Sequence, residues 1–571
     1  MVKFLVLLIA FTLLMPVSVI ASDQAELLKK IETLSKELEK LKMQMLDMQR
    51  KDEAKEQRIN LVEKKAESAG ADNISSWLEI GGDYRFRFDY LKGDIPANWL
   101  GYGGATTFSM QQLQQLGMKY PNLMQMLMPL MPQYPGGFGA YITPVTTAQS
   151  PKNESIMLNR FGLNLKAKAT EDVQVKARLL MYKVWGHDDV APVGGPFGNA
   201  YFADRFVTMD GNLGHIPDGA RLRVDTAYAT WSNILGAPAW FSVGRRPSTG
   251  GIPTNIRQNK EKTGTAGVPG LLVDYAFDGL TIGYAPDISS LPGAYAKFCY
   301  GKGFDSGYRT DGNTMKDVNF VGLNLVPYET DNLRLELQYQ RGFDIFAFPG
   351  YGDPFGLENK NKNIGHIDWW GTVISGTIPK LGPGNLNLFF TGALSVTHPN
   401  DNTYNAPFIY GVKANGSIET IYAGRYGLLY NDPAFGGEKK SRTGTAFYTG
   451  ARYDILSTGT KIGLEYNYGS KYWIGFTPAG DDLWTSKLAT RGNVFEVYLI
   501  QQLNKKPIAK RGDAFVRLGY QYYDFKYTNS GFWLGEPQKI SDLNLNDPAT
   551  VQMFAPVKKA HDLYITFDVV F

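Results

Sequence analysis

Charged residues at every second position are the chemistry-bearing pattern of this chain. Arg85 and Arg87 alternate with Tyr84, Phe86 and Phe88; Arg160, Lys166 and Lys168 interleave with Phe161, Leu163, Leu165 and Ala167; Lys176 and Arg178 interleave with Val175, Ala177 and Leu179. Arg221 and Arg223 repeat the spacing. A period of two sends successive side chains to opposite faces of a strand, so each stretch has one basic and one apolar face. A basic face turned to water concentrates anions beside it. Glu465, Glu496, Asp562 and Asp568 occupy similar stretches later in the chain. Facing walls of opposite sign would orient polar solutes passing between them. Asp83, Asp89, Asp225 and Glu336 fall on the same interior face as the bases. Two readings follow, an anion-biased wall or a lining that is merely hydrophilic.

The apolar faces persist for about ten residues, the length a tilted strand needs to cross a bilayer. The pattern therefore predicts an all-β fold, a transmembrane antiparallel β-barrel, preceded by an N-terminal α-helical coiled coil. Strands are expected near 77–90, 159–169, 173–185, 221–233, 239–246, 270–277, 279–285, 318–326, 333–343, 364–377, 385–398, 443–455, 460–473, 492–503, 512–527 and 560–571. That is about sixteen, an even number as bacterial barrels have. Short turns, including one at Asp278-Gly279, are expected to alternate with long loops. Trp77 and the tyrosines near strand ends suit an interfacial aromatic girdle.

Residues 1–21 read as an export signal: Lys3, an apolar run from Phe4 to Leu14, then Val19-Ile20-Ala21 as a small-residue cleavage site. Residues 22–69 read as a periplasmic coiled coil, because Leu27, Ile31, Leu34, Leu38, Leu41, Met45 and Met48 recur in alternating steps of four and three. Glu37 with Lys42 and Lys51 with Glu56 place opposite charges as a parallel homo-oligomer would. Residues 70–76 read as a linker and 77–571 as the barrel.

Other chemistries find little support. The net charge of +4 does not suggest a nucleic-acid partner. The single cysteine, Cys299, excludes a disulfide framework and cysteine-based haem attachment. His187 and His215, near several aspartates, match no tight ligand spacing, and Asp210 and Asp311 sit in turn-forming runs, so no metal or cofactor is expected. Gly-x-Ser-x-Gly, a P-loop and His-Glu-x-x-His are missing, and His366 with Asp368 lacks a nucleophile, so the chain does not read as an enzyme. The methionine- and proline-rich stretch from about 92 to 153 is expected to cap the barrel mouth or pack on a neighbouring subunit; the other reading folds it into the pore.

At the C-terminus Leu563, Ile565, Phe567, Val569 and the final Phe571 alternate with polar residues. This end resembles the sorting signal of bacterial outer-membrane barrels, which implies recognition by the barrel-assembly machinery through Phe567, Val569 and Phe571. Taken with the export signal, the coiled coil and the strand count, the chain resembles a porin, and its architecture is similar to that of phosphate-selective porins. GRRPSTGG (Gly244–Gly251), EYNYGSKYW (Glu465–Trp473) and DDLWTSKL (Asp481–Leu488) resemble a porin-like proteobacterial family of undefined function. The resemblance implies an outer-membrane channel, a trimer in lipid, that passes small hydrophilic solutes or ions by diffusion. Two further readings are a barrel sheathing a partner such as an electron-transfer cytochrome, and an envelope tether whose coiled coil meets peptidoglycan or a periplasmic partner.

Overall fold

Strand β1 (Leu78–Asp94) shows why this chain closes on itself. Arg85, Arg87, Asp89 and Leu91 are buried on one face, while Phe86, Phe88 and Tyr90 on the other are only half-buried. One edge pairs antiparallel with β4 (Lys152–Lys168) and the other with the final strand, β20 (Lys559–Val570). Phe571 completes the seam: its amide donates to the Gly82 carbonyl at 3.0 Å and its carbonyl accepts from the Gly82 amide at 2.8 Å. A Cβ on Gly82 would meet the Phe571 ring at 2.6 Å, so the small residue is what lets the terminal aromatic lie there.

The structure is a computed structural model and describes residues 74–186, 215–217, 219–260, 267–311, 314–346, 362–478, 481–503, 508 and 512–571. The export signal and the heptad seam from Leu27 to Met48 lie outside the described residues. The chain divides into residues 1–76 and 77–571.

Between β4 and β20 the wall consists of β5 (Val173–Val184), β6 (Arg223–Ser232), β7 (Ala239–Arg246), β8 (Phe277–Tyr284), β9 (Tyr295–Phe304), β10 (Val318–Glu329), β11 (Leu333–Phe346), β12 (Asn363–Leu381), β13 (Gly384–Pro399), β16 (Thr443–Ile455), β17 (Thr460–Gly469), β18 (Gly492–Gln502) and β19 (Asp513–Phe525). With β1, β4 and β20 these sixteen strands form one closed barrel in sequence order. Closure gives every wall strand two partners, which lets a sheet sit in hydrocarbon without open edges. The outward face carries exposed apolar side chains, among them Ile282, Phe298, Leu323, Trp370, Phe390 and Leu464. A belt of that extent suits lipid and not water. Among the described residues no helix is long and apolar enough to cross a membrane.

The strand count agrees with expectation, but two of its members differ. Residues 270–277 are not a wall strand: Leu271, Leu272 and Val273 are fully or almost fully buried inside, and Val273 bridges Phe476. Their continuous apolar run marks burial on all sides, which a lipid-facing strand does not have. Asp278-Gly279 is within β8 rather than a turn. The wall strand that replaces 270–277 is β9, whose Lys297, Gly301, Lys302 and Gly303 blur the alternation in the sequence. Strand β17 ends at Gly469, and 470–473 turn inward. Trp77 ends a short helical turn, Ile74–Trp77, instead of opening β1.

The methionine-rich segment builds a cap. Strands β2 (Asn98–Thr107) and β3 (Phe138–Val145) join β14 (Tyr404–Val412) and β15 (Ile418–Tyr426) in a four-stranded sheet of order β15-β14-β3-β2. Helix α1 (Met110–Lys119) starts with a capping box, in which the Gln112 amide donates to Ser109 Oγ at 3.2 Å and the Ser109 amide to Gln112 Oε1 at 2.9 Å. Leu113 and Leu116, with Leu123 and Leu127 of α2 (Pro121–Leu127), pack on Trp99, Phe138 and Phe408, a cluster without wall-strand residues. The methionine-rich stretch thus packs on this four-stranded sheet and on the 545–551 segment rather than on the wall strands.

Candidate functional site: the barrel interior

Two other segments enter the barrel. Residues 247–260 and 267–276, between β7 and β8, turn inward through a short helix, Thr254–Arg257; residues 470–478 and 481–491, between β17 and β18, do so from the opposite wall. They meet backbone to backbone: the Asp274 amide donates to the Phe476 carbonyl at 2.9 Å, and the Phe476 amide to the Leu272 carbonyl at 3.0 Å. An aromatic cluster locks the junction, with the Phe476 ring 5.1 Å from both Tyr275 and Phe320 and 6.3 Å from Trp369. Gly251 permits the close approach within the first segment, since a Cβ there would sit 2.0 Å from the Val268 carbonyl oxygen. The three sequence segments that carried the family resemblance supply parts of this interior: 244–251 starts the first inward segment, and 465–473 and 481–488 belong to β17 and the second.

Against the β16–β20 wall the inward segments are sealed by charge. Lys487 donates to Glu496 at 2.6 Å and also pairs with Glu465; all three side chains are at most 2% exposed. Tyr448 donates to Glu465 at 2.6 Å and Tyr564 to Glu496 at 2.6 Å. Arg257 joins Asp482 at 2.6 Å and Glu496 at 3.2 Å. Arg517 donates to the Arg257 carbonyl at 2.8 Å, and Gln521 to Asp482 at 2.8 Å. Removing one partner from such a network leaves a buried charge uncompensated, which is costly, so each member depends on the rest.

Asp481 marks the border of this region. Its carboxylate pairs with Arg85, lies 3.4 Å from Arg160 Nη1 and accepts from the Tyr182 hydroxyl at 3.4 Å, while its carbonyl accepts from Arg87 Nη1 at 3.0 Å. Burial alone would raise the Asp481 carboxyl, but Arg85, Arg160 and Arg87 outweigh it and hold it well below the usual carboxylate range. Behind it Arg85 also pairs with Asp568 at 2.5 Å, and Arg87 with Asp89 at 2.6 Å and Asp562 at 3.1 Å.

The β4–β6 wall is wet by comparison. Asn164 and Lys168 are exposed, and Lys166, Lys176 and Arg178 are half-buried. Arg178 reaches Asp83 at 2.7 Å, Asp225 at 3.5 Å and Asn164 at 2.8 Å, and its guanidinium lies over Gly162, where a Cβ would be 2.4 Å away. Lys166 pairs with Glu79 at 3.2 Å. Lys260, at the end of the described part of the first inward segment, is exposed to solvent yet lies within the fields of Arg178, Arg160, Asp83 and Arg85. A side chain that is both enclosed by the wall and exposed lines a water-accessible space.

The residues expected to line a pore thus fall into two places, and those expected to form the assembly signal into a third. Arg85, Arg87, Glu465, Glu496 and Asp568 are buried in ion pairs. Arg160, Lys166, Lys168, Lys176 and Arg178 form the wet wall, with Arg223 at the start of β6 and Arg221 exposed just before it. Phe567 and Phe571 are 40% and 44% exposed on the outer face beside half-buried Val569. Sequence reasoning missed Arg257, Lys260, Asp481, Asp482 and Lys487, all on the inward segments. One signal was readable: Asp481, Asp482 and Lys487 are interleaved with Leu483, Trp484 and Leu488, an apolar content unusual for a solvated loop.

Several solved outer-membrane proteins are similar to this chain at low identity. OmpT of Vibrio cholerae in its trimer form is 11% identical, with 87% of this chain and 100% of that one covered and a TM-score of 0.34. Pseudomonas putida OprB is 10% identical, with 87% and 95% covered and a TM-score of 0.39. An anion-selective porin from Comamonas acidovorans is 11% identical, with 86% and 99% covered and a TM-score of 0.35. No curated protein matches. A family profile described as a protein of unknown function, DUF3373, matches residues 150–571, which include every wall strand except β1 and both inward segments. The chain belongs to that family.

Proposed function

We propose that the protein is an outer-membrane channel for small hydrophilic solutes or ions, biased toward anions, whose route runs along the β4–β6 wall. The observation that carries this is the solvent exposure of Asn164 and Lys260 inside a closed barrel with an apolar outer belt, continued by Lys168 at the end of β4. Lysines and arginines along one side of a confined path raise the local anion concentration, and low-dielectric walls strengthen the effect. The heptad seam from Leu27 to Met48 would hold the barrels as a parallel homo-oligomer, a trimer, from the periplasm. The aromatic end at Phe571 would present the chain to the barrel-assembly machinery.

Planar-bilayer recording of the purified barrel under a salt gradient tests this reading. A steady conductance with a reversal potential of anion-selective sign is expected. Silence across repeated insertions of folded barrel rejects open diffusion. A second reading, a barrel shut at rest and opened by its solute, is favoured by the sealed network around Lys487.

A further inference from the structure

We infer that Arg160, with Arg85 and the Tyr182 hydroxyl, is a binding site for the oxyanion of a small carboxylate or phosphate solute, held shut by the chain's own Asp481. The inference rests on the channel reading only for the route by which a solute arrives. Asp481 is the oxyanion already seated: one of its carboxylate oxygens meets both Arg85 and Arg160, the other accepts from Tyr182, and the bond from Arg87 goes to its backbone. The pocket is therefore built for a carboxylate group, and the group filling it belongs to a segment that enters from elsewhere.

Location makes exchange feasible. Asp481 is 11% exposed and Arg160 is 17% exposed, against 4% for Arg85 behind them, so the outer edge of the pair faces the wet side. Arg160 Nε is buried and makes no hydrogen bond, a donor direction that Asp481 leaves unused. The Arg160 contact, at 3.4 Å, is looser than the Arg85 pair and equal in length to the bond from Tyr182, while Arg87 Nη1 stands 4.0 Å from the carboxylate. Arg85 retains Asp568 when Asp481 leaves, whereas Arg160 has no second carboxylate contact among the described residues. An incoming oxyanion would take the Arg160 and Tyr182 contacts, and the Asp481 side chain would turn away from them while Asp482 keeps its pair with Arg257. The site and the seal are then one equilibrium, in which solute binding competes with the intramolecular carboxylate.

Calorimetric titration of the folded barrel in detergent, with inorganic phosphate and separately with acetate, tests this without requiring conduction. Heat-dependent electrophoretic mobility checks that each variant is folded. Asp481→Asn removes the competitor and is expected to bind at least one of the two anions about tenfold or more tighter than the unaltered protein; Arg160→Gln is expected to bind neither. Tightening toward phosphate alone assigns the site to phosphate-bearing solutes, and toward acetate alone or both to carboxylates as well. Equal affinities in the unaltered protein and Asp481→Asn, or unchanged binding by Arg160→Gln, overturn the inference. If Asp481→Asn does not fold, retention of binding by Arg160→Gln relative to the unaltered protein still decides against it and loss decides for it. A silent bilayer with the expected titrations would reject the open channel and leave the site standing.

Discussion

The β16–β20 and β4–β6 walls carry the same alternation of charged and apolar residues, and they end in opposite states. On the first, Lys487 and Arg257 arrive from the inward segments and turn Glu465 and Glu496 into buried ion-pair partners. On the second, Lys166, Lys176 and Arg178 stay in contact with water. The difference does not lie in the strands. A wall becomes structure where a segment of opposite charge covers it, and remains a candidate route where none does.

The strongest contrast is between two lysines. Lys487→Met takes from buried Glu465 the cation in contact with it and leaves Glu496 with Arg257 alone, and is expected to cost about 3–5 kcal/mol, the range for breaking a buried pair. Lys166→Met removes a partly exposed pair with Glu79 and should change stability by less than about 1 kcal/mol. Urea unfolding of both variants in the same lipid or detergent compares them. Similar midpoints would mean that the sealed network does not hold the second inward segment in place.

That contrast also explains how much was legible in the sequence. Strands such as β4, β5 and β20 were readable because a lipid face and a water face impose a period of two, and that constraint is local. The seal was not readable, because it depends on pairs such as Arg257 with Glu496, which are 239 positions apart. Residues 270–277 misled for a related reason: their apolar run satisfies a requirement for burial set by Phe476 and Trp369, not by lipid. The methionine-rich stretch revealed its apolar face but not its partner, since β14 lies more than two hundred residues further on.

A smaller effect is expected at Arg178, and on permeation rather than stability. Arg178→Gln keeps a polar side chain near Asn164 but leaves Asp83, and the buried Asp225 that His215 still contacts, with one fewer cation. The reversal potential should move toward cation preference while the urea midpoint changes by about 1 kcal/mol or less in free-energy terms. An unchanged potential would place the ion path away from the β4–β6 wall.

The smallest expected effect is a pH dependence from Lys260. Although water reaches the side chain, the protein enclosing it strips away much of the bulk solvent, and this partial desolvation, with the neighbouring charges of Arg178 and Arg160, pushes its ammonium down to about 8. The side chain is then mostly charged at pH 7 and mostly neutral at pH 9, so anion preference should weaken over that interval and the change should vanish in Lys260→Met. The sign for stability follows from the same shift. An unfolded lysine keeps its proton to about pH 10.4, so between about 8 and 10.4 the unfolded chain binds more protons than the folded one. Stability from this group therefore rises with pH across that window, because deprotonation relieves the crowding of Lys260 against Arg178 and Arg160. If anion preference were flat from pH 7 to 9 in the unaltered protein, Lys260 would not face the conducting path, and the wet strip would have to end before the first inward segment.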